Sequence, residues 1–92
     1  MNATLQALAD PTRRAILKML GDGDLTAGEI AAHFAISAPS VSHHLNVLKQ
    51  AELVRSQRNG QTIVYSINST VVQEFLQELL QFFSVGANGN ET

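Results

Sequence analysis

Ninety-two residues with no cysteine, 45% of them apolar and 15% charged, describe one small globular domain and exclude disulfides, thiolate metal sites and thiol redox switches. No apolar run reaches the ~20 residues that a membrane-spanning helix needs, and no leader precedes the charged Asp10, Arg13 and Arg14, so a soluble, cytoplasmic protein is expected. The net charge of −2 is uneven: residues 1–68 hold all six bases against five acids, whereas residues 69–92 hold Glu74, Glu78 and Glu91 and no base, which confines any surface for a polyanion to the first two-thirds.

The chain opens with a short helical segment, Ala3 to Ala9, that sets Leu5 and Leu8 three apart on one face. Asp10-Pro11 then caps and starts a second helix, which carries Ile16, Leu17 and Leu20 inward and is expected to stop at Gly21. Thr26 and Glu29 have capping-box spacing and open a third helix running to Phe34, with Ile30 and Phe34 four apart. After the short turn Ala35-Ile36, Ser37 caps a fourth helix to about Gln50, with Pro39 in its first turn and Val41, Leu45 and Leu48 as its buried stripe. Two helices joined so tightly match a helix-turn-helix.

Two strand-like runs follow, Leu53 to Arg58 and Gln61 to Ile67, separated by Asn59-Gly60. That dipeptide suits a type I′ turn, which would pair Arg58 with Gln61, Ser56 with Ile63 and Val54 with Tyr65. Val54, Ile63, Tyr65 and Ile67 would then lie on the helices and leave Arg58 and Gln61 at the tip. From Asn68 or Ser69 a last helix runs to about Ser84, with Val71, Val72, Phe75, Leu76, Leu79, Leu80, Phe82 and Phe83 over much of its girth. So much apolar surface must bury two sides, one on its own domain and one on a second copy of the chain. The expected dimer seam is Leu5, Leu8, Val72, Phe75, Leu76, Leu79 and Phe83. Residues 1–85 read as one domain and residues 86–92 as a flexible tail.

Fixing Val41, Leu45 and Leu48 against the core points Pro39, His43, Asn46 and Gln50 outward on the fourth helix, with Ser40, Ser42 and Val47 on the flanks. This face has no carboxylate and is built of short hydrogen-bonding groups. Ser40, Ser42, His43 and Asn46 can bond base edges in a major groove. Ser37, Arg13, Arg14, Lys49, Arg58 and Gln61 are candidates for phosphates or the flanking groove. His44 falls beside the buried stripe and reads as a packing residue. The three histidines lack ligand spacing, no nucleophile sits near a base, and there is no Gly-rich phosphate loop. No enzyme, metal, cofactor or small-molecule substrate is therefore expected. The competing reading is a winged helix used only for protein contact.

Asp10-Pro11-Thr12-Arg13-Arg14-Ala15-Ile16-Leu17, Ser40-Val41-Ser42-His43-His44-Leu45-Asn46-Val47-Leu48-Lys49-Gln50-Ala51, and a wing with Asn59-Gly60 and Tyr65 resemble the ArsR-type winged-helix repressors, most of all the SdpR-type autorepressor branch. The resemblance spans about Leu5 to Phe83. It implies a mainly α fold with a two-stranded β wing, ordered α-α-α-α-β-β-α. It further implies a homodimer joined through the first and last helices on an inverted-repeat DNA operator, with Ser40, Ser42, His43 and Asn46 among the base readers. Relatives that release DNA on binding metal use cysteines before the recognition helix or Asp and His in the last helix. Here Glu29-Ile30-Ala31-Ala32-His33-Phe34 and a last helix without His cannot assemble either site. For the SdpR-type branch the resemblance implies release through a membrane-bound sequestering partner instead.

Overall fold

The computed structural model describes the backbone of residues 2–91 and the side chains of residues 2–84. In chain order the elements are α1 (Asn2–Leu8), α2 (Pro11–Asp22), β1 (Leu25–Thr26), α3 (Ala27–Ala31), α4 (Ala38–Gln50), β2 (Val54–Asn59), β3 (Thr62–Ile67) and α5 (Ser69–Glu91). Asp10 starts α2 by accepting the Arg13 amide at 3.0 Å, with Pro11 where a missing N–H costs nothing. That hydrogen bond, more than the nearby His44 and Arg13, holds the Asp10 carboxyl below its ordinary range, against an opposing effect of burial. A depressed carboxylate stabilises the fold above its unfolded pKa, and the contribution is lost as pH falls through the folded value. The helix does not stop at Gly21. One interior glycine costs about 1 kcal/mol without breaking a helix, and termination waits for Gly23, whose N–H reaches the Leu20 carbonyl at 3.2 Å.

The capping box forms as expected. The Glu29 amide donates to Thr26 Oγ1 at 3.1 Å, and the Thr26 amide to Glu29 Oε1 at 2.9 Å. The helix it opens is shorter than Phe34, because the His33 and Phe34 amides tighten onto carbonyls three residues back, at 3.0 and 3.1 Å. Ser37 caps α4 by accepting the Ser40 amide at 3.3 Å.

The far end of α4 closes with both bonds of a Schellman motif, Leu53 N–H to Leu48 O at 3.0 Å and Glu52 N–H to Lys49 O at 2.9 Å. The motif places Glu52 at φ 62°, a left-handed conformation that strains a residue with a Cβ. Glu52→Gly is therefore expected to raise stability by about 1 kcal/mol, read as a higher midpoint in urea. An unchanged or lower midpoint would show that the strain is relieved elsewhere.

The wing differs from expectation in register and in strand number. The pairs are Asn59↔Thr62, Arg58↔Ile63, Ser56↔Tyr65 and Val54↔Ile67, so Gly60-Gln61, and not Asn59-Gly60, is the two-residue loop. Gly60 alone has positive φ there, 68°, which fits a II′ turn with glycine first and spares Asn59 the left-handed region a I′ turn demands. Each partner shifts by two residues, so the faces keep their parity. Val54 is buried and Tyr65 and Ile67 half-buried, but Ile63 stays 37% exposed, on the lining of a groove shared with Ala27 and Ser42. β1 adds a third, antiparallel strand, Leu25↔Tyr65 and Thr26↔Val64, in the order β1-β3-β2.

The core is Ala7, Ile16, Leu20, Ile30, Val41, Leu45, Leu48, Ala51, Leu53 and Val54, drawn from α1 to α4, the turn after α4, and β2. α5 lays Val71, Val72 and Phe75 on the domain, so that Val72 of the expected seam is half-buried on its own core, and then runs off it. The expected stop near Ser84 is overtaken: the backbone continues helical to Glu91, through Gly86 and Gly89. The tail expected at 86–92 otherwise concerns side chains outside the described residues. Phe75 is 7% exposed and so belongs to the protomer's own packing. At about 100° per residue it sits to one side of Val72, Leu76, Leu79, Leu80 and Phe83, which share one stripe. Leu76, Leu80 and Phe83 on that stripe are 50%, 65% and 66% exposed. In α1, Leu5 is 46% exposed whereas Leu8 is half-buried against the core.

Candidate nucleic-acid interface

Three elements make one surface: α4, the wing, and the turn that enters α3. Pro39, Ser40, Ser42, His43, Asn46 and Gln50 are all exposed on α4, while Val41, Leu45 and Leu48 are at most 1% exposed. The helical period alone thus sorted the face correctly. Ser42 lines a shallow groove together with Thr26, Gly28, Gln61, Thr62 and Tyr65, so α4 and the wing present a continuous concave surface. Thr62 in this groove escaped sequence reasoning, because the loop sits one residue later than expected and makes Thr62, in place of Gln61, the first residue of the returning strand. Ser37 and Ser40 hydroxyls lie 3.0 Å apart at the first turn of α4. Lys49 is in the last turn and Arg58 near the wing tip, both exposed.

The two arginines of α2 do something the sequence did not show. Arg13 Nε donates to Ala7 O at 2.8 Å and Nη2 to Gln6 O at 2.9 Å, while Arg14 Nη1 donates to Leu8 O at 2.7 Å. The last carbonyls of a helix have no partner within it, and a cation there also suits the dipole. All three guanidinium nitrogens of Arg13 are thereby engaged within the protein, so the phosphate contact expected of it would compete with these bonds. Arg14 stays exposed and keeps donors facing solvent. Local pattern could not foresee this, since it depends on how α1 folds back on α2.

His44 is half-buried, its Nδ1 3.2 Å from Arg13 Nη1 and 3.9 Å from Asp10 Oδ2, which agrees with the packing role expected for it. His33 is exposed at the end of α3. Among the described residues no three His, Asp or Glu side chains gather as metal ligands. None of the described helices is long and apolar enough to cross a membrane.

Residues 10–56 match the family model described as bacterial regulatory protein, arsR family. The chain is 54% identical to the transcriptional repressor SdpR of Bacillus subtilis (strain 168) over 88 residues, covering 96% of this chain and 98% of that protein. It is 37% identical to the arsenical resistance operon repressor of Staphylococcus xylosus, covering 88% and 74%. Among solved structures, an ArsR-like transcriptional regulator from Rhodococcus sp. RHA1 superposes with a TM-score of 0.85 at 29% identity, covering 98% of this chain and 80% of that one.

Proposed function

The chain belongs to the arsR family of bacterial regulatory proteins and is a DNA-binding transcriptional repressor, and from that premise we propose that it works as a homodimer whose two α4 helices read an inverted-repeat operator. The observation that carries this reading is the outer face of α4. Ser40, Ser42, His43 and Asn46 are exposed together without a carboxylate among them, and they continue into the groove of the wing. Such a face accepts and donates at base edges and does not repel phosphate. Asn46 can bond adenine in bidentate fashion, and His43 can donate to guanine. Ser37, Arg14, Lys49, Arg58 and Gln61 hold the flanking backbone, and Thr62 joins them from the groove.

Successive major grooves on one side of a duplex lie about 34 Å apart, so the dimer must hold its two α4 helices at that spacing. The stripe on α5 with Leu5 of α1 supplies the seam. With no cysteine in the chain, no thiolate metal site can release it from DNA.

His43→Ala and Asn46→Ala are each expected to cost about 1–3 kcal/mol of operator binding and to relax preference at particular base pairs, leaving non-specific affinity in place. Electrophoretic mobility shifts with a duplex enriched by this protein from a random pool, set beside a scrambled duplex, measure both. Equal loss on the two duplexes would make these side chains backbone contacts, and a wild-type protein indifferent to sequence would overturn the reading.

A further inference from the structure

We infer that His44, held by Arg13, is a positioning residue that sets the rotation of the base-reading face of α4, an inference resting on the DNA-binding reading above. A guanidinium has donors only, so its 3.2 Å contact makes His44 Nδ1 the acceptor and places the ring proton of the neutral form on Nε2. The 3.9 Å separation from Asp10 Oδ2 is too long for a hydrogen bond, which leaves Arg13 as the partner. The His44 side chain is only 16% exposed, so it is withdrawn from the surface that His43 occupies. The two rings are neighbours nonetheless, their centroids 5.8 Å apart.

The geometry does what apolar packing cannot. Burial of Val41, Leu45 and Leu48 chooses the inner face of α4, but it is non-directional and tolerates small rotations about the helix axis. A turn of about 20° swings a side-chain tip at ~6 Å from the axis by about 2 Å, enough to break a bidentate base contact. The planar fork of Arg13 removes that freedom. Two of its three nitrogens are fixed on the Gln6 and Ala7 carbonyls of α1, and the third holds α4. The register of the reading face is therefore referred to α1, the helix that carries exposed Leu5 to the proposed seam.

The test compares affinity for the enriched duplex with affinity for a scrambled one, each over a range of salt concentrations, for Arg13→Gln, Arg13→Lys, His44→Leu and His44→Asn. In His44→Leu and both Arg13 variants the ratio of the two affinities is expected to fall about tenfold, with the salt slope unchanged. His44→Asn, whose Oδ1 can take the place of Nδ1, should restore most of the ratio. His44→Leu leaves the α1 caps of Arg13 intact, so the inference stays open to refutation if the Arg13 variants fold poorly. If Arg13→Gln lowers both affinities equally and flattens the salt slope by about 1, Arg13 is a phosphate ligand and the inference falls. It falls as well if His44→Leu keeps the wild-type ratio, or if His44→Asn is no better than His44→Leu. A wild-type protein that shows no ratio at all overturns the DNA-binding reading first, and this inference with it.

Discussion

Replacing Leu76 and Phe83 together by Glu is expected to leave the domain folded, to convert a dimer into a monomer, and to weaken operator binding about 10²–10⁴-fold. The size of the effect follows from linkage. Once one half-site is held, the second meets its α4 at the effective concentration set by the seam, and a monomer forfeits that gain entirely. Both side chains lie on the outer stripe of α5, 50% and 66% exposed, so their loss removes nothing from the core. Light scattering coupled to size exclusion gives the mass, and circular dichroism checks the fold. A double variant that remains a dimer would move the seam off this stripe.

The other large effect is on stability. Leu48→Ala removes a side chain that is 0% exposed and that forms the hydrophobic half of the α4 C-cap with Leu53. A buried Leu→Ala substitution costs about 2–5 kcal/mol, and a core this small supplies little more than ~3–5 kcal/mol in all. The variant is expected to be substantially unfolded at room temperature when dilute. Because dimer formation and DNA stabilise only the folded state, its melting temperature should rise steeply with protein concentration and on addition of operator. A denaturation midpoint within about 0.5 kcal/mol of wild type would mean that the cavity collapses.

What the sequence could reveal divides by distance along the chain. The caps at Asp10, Thr26 and Ser37, the buried stripe of α4 and the outward His43 and Asn46 all rest on residues within one or two turns of each other, where propensity and period act directly. Errors arose where two local solutions compete. Asn59-Gly60 and Gly60-Gln61 can each close a hairpin, and they differ in whether Asn59 must take a positive φ. Gly21 resembles a stop signal until Gly23 provides a better one. Contacts between distant segments were out of reach. Two residues of β1 carry too little pattern to announce a strand, and Arg13 looks like any surface base until α1 is folded onto α2. On α5 the count of apolar residues revealed two faces, but only the packed domain shows that Phe75 belongs to the inner one.

The short strand β1 has a consequence in time. Leu25 pairs with Tyr65 across a 40-residue separation, so this sheet cannot close until Tyr65 has been made. Such long-range pairings carry the loop-closure entropy that slows folding, and an isolated two-stranded hairpin is at best marginal in water. On the ribosome α2, α3 and α4 are made first, yet the strand that anchors the turn before α3 to the wing arrives some forty residues later. The nascent chain therefore gains a fixed reading head only once β3 has been made, after α4 and just before α5 supplies the means to pair.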